Sequence, residues 1–125
     1  MENQLTLIVV AKWQQFMNSK NIEEMLKLTH EQIEFVHLNE HGNGQKELAD
    51  WILRTGLTLT TLKSYVNEDK LLLRHLARRK AEDGCLLREE NFYTYIKMSR
   101  GKIIYIARIE NQHDAEVISG ISLTT

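Results

Sequence analysis

Between Leu5 and Met17 the apolar residues Leu5, Ile8, Val9, Trp13 and Phe16 return at helical intervals. Such a stripe must pack on something, and it predicts a first helix over Leu5 to Met17. Asn21 followed by Glu24 has the form of a capping box, and Ile22, Met25 and Leu26 supply the apolar side of a short second helix ending near Thr29. From Ile33 the period changes. Ile33, Phe35 and His37 alternate with Glu34, Val36 and Leu38, which suits a strand with both faces partly covered. A loop over Asn39 to Gly44 ends it. Gly44 then starts a third helix, with Glu47 in its first turn, Leu48, Trp51 and Ile52 on one side, and Gly56 just past its end as a stop signal.

Everything after Gly56 reads as sheet. Leu57 to Val66 is rich in threonine and leucine, Asn67 to Lys70 is a polar turn, and Leu71 to Lys80 is a second strand. Asp83-Gly84 signals a hairpin into the long strand Leu86 to Met98, and Arg100-Gly101 turns the chain into Lys102 to Glu110. The pattern therefore predicts an antiparallel meander after three helices, within a bent sheet of about four to six strands. The first and third helices should cross its concave face. A bent sheet with helices on its inner side encloses space.

Composition narrows the functional classes. The 16 basic and 17 acidic side chains nearly cancel, so the charge that a nucleic-acid or anionic-membrane binder needs is missing. At 125 residues the chain suits a single domain over 1–125. No apolar run approaches the roughly 20 residues that span a bilayer. Cys85 stands alone and cannot form an internal disulfide, and the N-terminus lacks the pattern of a signal peptide, which together predict a cytoplasmic protein.

The order helix, helix, strand, helix, strand meander, with Gly44 before the third helix and "SRGKIIYIARIEN" as the turn into the last strand, resembles the nuclear-transport-factor-2-like superfamily. That group includes the polyketide-cyclase (SnoaL-like) and ketosteroid-isomerase-like proteins, and the resemblance runs from about Leu5 to Asn111. It implies an α+β fold in which a curved antiparallel sheet wraps around N-terminal helices as a cone-like α+β barrel, with the binding or active site inside. It also implies pairing through the outer sheet face, where Tyr93 and Tyr95 suit a homodimer contact. In ketosteroid-isomerase-like members a carboxylate near the end of the first strand is the general base. Here the matching neighbourhood offers Phe35 or His37, which argues against a steroid-isomerase mechanism of the usual kind.

Two histidines are the candidate proton-handling groups. His37, at the end of the first strand, can act as a base near neutral pH or stand as a partly exposed strand-end residue. His75 shares a face with Leu71, Leu73 and Ala77, so it either faces the cavity or serves as a satisfied polar group in the core. Trp13, Phe16 and Trp51 form an aromatic wall that is at once core and pocket lining. Arg88 and Glu90 continue the apolar face of Phe92, Thr94, Ile96 and Met98, as a polar lining or a surface ion pair. Tyr105, Tyr93 or Arg88 could donate to an oxyanion. No histidine pair has a dedicated metal-ligand spacing, and no motif implies a metal or a cofactor.

Glu90 is the one plausible inward carboxylate, which favours binding over catalysis. The expected function is binding of a small, largely apolar compound in the central cavity. The alternatives are an isomerase, cyclase or hydratase using a cavity histidine as general base, and a non-catalytic dimeric scaffold.

Overall fold

The computed structural model describes residues 2–37, 40–67 and 69–123, the side chains of 2–5 and 37 excepted. Helix α1 spans Glu2–Asn18. Its buried stripe is Thr6, Val10, Trp13 and Met17, while Leu7 and Ile8 face outward. The buried stripe is thus rotated from the predicted one: Trp13 belongs to both, and Phe16 and Val9 flank the core half-buried. The short α2, Ile22–Leu26, follows. The capping box read at Asn21 does not form, since Asn21 makes no side-chain cap bond and its carbonyl alone accepts, from Met25 N–H at 3.0 Å.

Strand β1 covers Thr29–His37. What reads as a loop after it contains a second strand, β2, Glu40–Asn43, paired antiparallel with β1. Gly42 lies opposite Phe35 in that ladder, and a Cβ at Gly42 would stand 2.1 Å from the Phe35 ring. The glycine is there because the ring occupies the space a side chain would need. Residues 38 and 39 of the predicted strand end and loop lie outside the described residues.

Helix α3, Gln45–Thr55, begins and ends where its signals stand. Glu47 accepts from Asn43 N–H at 2.8 Å, and Gly56 in the left-handed region returns its N–H to Ile52. Gln45 ties its start to the end of α2, donating to the carbonyls of Leu26 and Thr29. Leu48 and Ile52 are its buried residues.

Four long strands then follow: β3 Thr58–Asn67, β4 Lys70–Lys80, β5 Leu86–Ser99 and β6 Lys102–Ile109. The six strands form one sheet in the order β2-β1-β6-β5-β4-β3. Against the expectation of an antiparallel sheet, it is mixed, because β1 and β6 run parallel. The path through α3 and the meander brings the last strand back beside the first in the same direction, as a crossover does. The ladder shifts register at Thr61/Lys63, Arg79/Lys80 and Lys97/Met98, irregularities of the kind that bend and twist a sheet.

Against the reading of everything after Gly56 as sheet, the chain turns helical beyond β6. Asn111 accepts from Asp114 N–H at 2.9 Å and caps a fourth helix, α4, Gln112–Ser119, which closes on Gly120 in the left-handed region. The sheet therefore has two cores. Trp13, Leu48, Ile52, Leu71, Leu73, Phe92 and Ile96 fill the concave side under α1 and α3. Leu72, Tyr95, Ala107, Ile109 and Ala115 form a smaller one on the convex side under α4, joined by Ile121 and Leu123.

The close approach at Gly42 yields a test. Gly42→Ala should lower unfolding free energy by about 1–3 kcal/mol through overpacking, read by urea denaturation. Phe35→Leu in the same chain should recover part of that loss. A Gly42→Ala protein as stable as the parent would show that the ring has another place to go.

Candidate functional site

Among the described residues a pocket opens on the concave side. α1 contributes Trp13 and Met17, one turn apart; α3 contributes Trp51, Ile52 and Thr55; Leu57 and Leu59 follow it. β5 and β6 supply the floor with Phe92, Thr94, Ile106 and Arg108. The cavity measures about 30 Å³, room for roughly a water molecule or two. Its inner wall is tightly held, Trp13 being 1% exposed, whereas Trp51, Thr55 and Leu57 on the outer wall are half-buried. Trp51 leans on Phe35 with ring centroids 5.3 Å apart.

Polar groups around this space are few. Thr94 and Arg108 are direct partners in the β5–β6 ladder, which sets hydroxyl and guanidinium side by side. The Arg108 side chain is 8% exposed, lies 4.1 Å above the centroid of the Phe92 ring, and meets Glu90 at 3.0 Å and Glu110 at 2.6 Å. Arg88 joins Glu90 at 3.3 Å, so two cations and two carboxylates balance at one end of the pocket. The indole N–H of Trp13 is buried with no hydrogen-bond partner among the described residues. An unsatisfied buried donor carries a desolvation cost that an incoming acceptor would relieve.

His75 stands behind this lining. It is fully buried, and both ring nitrogens are engaged: Nδ1 with Thr94 Oγ1 at 2.7 Å, and Nε2 with Gln14 Oε1 at 2.7 Å and Thr61 Oγ1 at 3.2 Å. Burial pushes its pKa down to about 4, so the ring is neutral at physiological pH.

The other residues singled out from sequence separate. Trp13 and Trp51 line the pocket; Phe16 packs half-buried against the same core without lining it. Glu90 is an ion-pair partner, and Arg88 beside it is 68% exposed. Tyr105 is on the convex face, edge-on to Tyr95 at 6.0 Å and packed in the α4 core. The register shift opposite Lys97/Met98 falls between Ile103 and Tyr105, so Ile103 and Ile106 both turn inward and Tyr105 turns out. Burial raises its phenol pKa, with the Glu34 charge adding to the effect. The side chain of His37 lies outside the described residues. Sequence reasoning missed Arg108 and Gln14. Alternation from Ile106 would have found Arg108, a charge two residues along on an inward face. Gln14 carries no comparable signal.

No family model matches the chain, and no curated protein does. Solved structures do match. An NTF2-like protein of unknown function from Cytophaga hutchinsonii aligns with a TM-score of 0.75 at 13% identity, over 87% of this chain and 92% of that one. A candidate ketosteroid isomerase from Kribbella flavida gives 0.76 at 11% identity, over 90% and 82%. TerC, co-crystallised with polyporic acid, gives 0.72 at 15% identity, over 94% and 99%. Candidate polyketide cyclases from Sinorhizobium meliloti and Xanthomonas campestris pv. campestris are similar as well. The chain has the NTF2-like fold, an α+β cone whose six-stranded mixed sheet stays open. Among the described residues no helix is long and apolar enough to cross a membrane, and no group of three metal-ligating side chains forms.

His75 makes stability depend on pH. Its folded pKa lies below the unfolded one, so the unfolded chain binds the extra proton, and stability present above about pH 6.5 is lost as pH falls towards 4. The difference corresponds to about 3 kcal/mol. Urea unfolding at pH 7 and at pH 4 should show a loss of that order beyond the one His75→Gln retains. Equal losses in parent and variant would assign the acid sensitivity elsewhere.

Proposed function

We propose that this protein binds a small, flat, largely apolar compound carrying one or two oxygen substituents, in the pocket between α1, α3 and the sheet. The observation that carries the reading is the contrast within the lining. Its walls are aromatic and aliphatic, while Thr94, Arg108 and the unpaired Trp13 N–H supply the few polar points that orient a ligand. A fold neighbour, TerC, was crystallised with polyporic acid, which supports the use of this cone for a small organic molecule.

The cavity as it stands is smaller than a ring. Entry therefore works through the outer wall, where half-buried Trp51, Thr55 and Leu57 part from the fixed inner wall at Trp13. Binding is favoured over catalysis because Arg108 is the one ionisable side chain in the described lining, and a guanidinium does not accept protons. His75 is closed off behind Thr94 with both nitrogens in use. A homodimer through the convex face belongs to the same proposal, resting on half-buried Tyr65, Tyr93 and Tyr105 and exposed Val117 and Ile118. Tyr95 does not contribute to it, being buried in the core under α4.

The test is a panel of single-ring compounds, toluene, anisole, phenol and benzoate, titrated into labelled protein while the two indole N–H signals are followed. At least one should shift the Trp13 signal and raise the melting temperature with concentration. Thr55→Trp, which narrows the outer wall, should weaken that binding about tenfold or more. If no compound moves either indole signal, the cone is a filled scaffold. Light scattering decides the dimer, which a clean monomer at micromolar concentration would end.

A further inference from the structure

Donor counting around His75 fixes the polarity of Thr94. Oε1 of Gln14 offers only lone pairs, so both groups that meet it donate: the Thr61 hydroxyl at 2.9 Å and His75 Nε2 at 2.7 Å. A neutral imidazole carries one ring proton, and with Nε2 holding it, Nδ1 accepts. The group 2.7 Å from Nδ1 is the Thr94 hydroxyl, which must donate. Its only proton is thereby turned to His75, which does not line the pocket, and the Thr94 oxygen is left with lone pairs. Beside it Arg108 can only donate, and among the described residues the Trp13 N–H has no acceptor. The lining thus holds hydroxyl acceptors at Thr94 and at Thr55, whose proton goes to the Ile52 carbonyl at 3.1 Å, beside the Arg108 and Trp13 donors.

We propose that the pocket selects phenolic or enolic compounds, whose hydroxyl donates to Thr94 Oγ1 while its oxygen accepts from the Trp13 or Arg108 donors. His75 is the positioning residue that sets the direction of the Thr94 hydroxyl. The proposal rests on the binding reading and narrows it. A ring bearing only acceptors, such as an ether, a ketone or a carboxylate anion, sets lone pair against lone pair at Thr94. A hydroxyl satisfies both sides.

Phenol and fluorobenzene have nearly the same shape, but only phenol donates. Their affinities are compared through the indole N–H signals in the parent, in Thr94→Val and in Thr94→Ser. The phenol-to-fluorobenzene affinity ratio should fall about five- to tenfold in Thr94→Val, the worth of one hydrogen bond, and stay near the parent value in Thr94→Ser. A ratio unchanged by Thr94→Val, with both compounds still bound, overturns the selection and leaves the binding reading standing. Failure of both to bind the parent overturns the two together. Nitrogen-15 spectra of the unsubstituted protein at neutral pH test the positioning role without a variant: Nδ1 of His75 should be unprotonated, and a proton found there overturns the proposal.

Discussion

An imidazole buried among Leu71, Leu73 and Ala77 has to find partners, because an unmet polar group in an apolar interior costs more than a hydrogen bond returns. The three that serve His75 come from three separate elements. Thr61 is on β3, Thr94 on β5, and Gln14 reaches over from α1. Hydrophobic burial of Val10, Trp13 and Met17 presses α1 onto the concave face, but being non-directional it leaves the position of the helix some freedom. Gln14 meeting His75 and Thr61 removes that freedom. Asn18 adds a second anchor on the same helix, accepting from Leu59 N–H at 2.9 Å and donating to its carbonyl at 2.8 Å.

With α1 held there, the position of the pocket follows. Trp13 and Met17 face Phe92, Thr94 and Ile106 across a gap that α3 closes from the other side. At one end Arg108 is fixed by two carboxylates and a ring face, a set that is satisfied before any ligand arrives. Its carboxylate partners keep it in place even though most of its surface is out of water. A guanidinium this constrained loses little freedom on meeting a ligand, which is what preorganisation means in energetic terms. The same constraint limits its reach, so a ligand has to come to it.

Much of the fold was legible because local signals agreed with tertiary ones. Gly44, Glu47 and Gly56 bracket α3 by backbone chemistry that needs no knowledge of the rest of the chain. On β4 the inward set Leu71, Leu73, His75 and Ala77 was readable from period two, although Leu72 on the other face is buried as well. Three features of the sheet were not legible, and neither was α4. β2 is Glu-His-Gly-Asn and looks like a loop; it is a strand because Gly42 admits the Phe35 ring, a contact across the ladder that the apolar pattern does not state. Tyr105 faces outward because of a register shift, and one such shift inverts every later side chain relative to simple alternation. The parallel pairing of β1 with β6 depends on where the chain returns after more than sixty residues, and neither strand's pattern states its neighbour's direction.

The same shift that hides Tyr105 from the pocket gives α4 its purpose. Turning Tyr105, Ala107 and Ile109 outward leaves an apolar strip on the convex face of β6, next to Tyr95 on β5 and Leu72 on β4. A strip of that kind left in water invites association. α4 covers part of it through Ala115, and Ile121 and Leu123 beyond the helix cover more. Ala115 is small enough for the helix to lie close to the sheet, and the cap at Asn111 starts the helix two residues after β6 ends, so it has no room to dock elsewhere. The helix therefore follows from the bulge: once β6 presents apolar side chains to both faces, each face needs a cover, and α1 with α3 serve one while α4 serves the other.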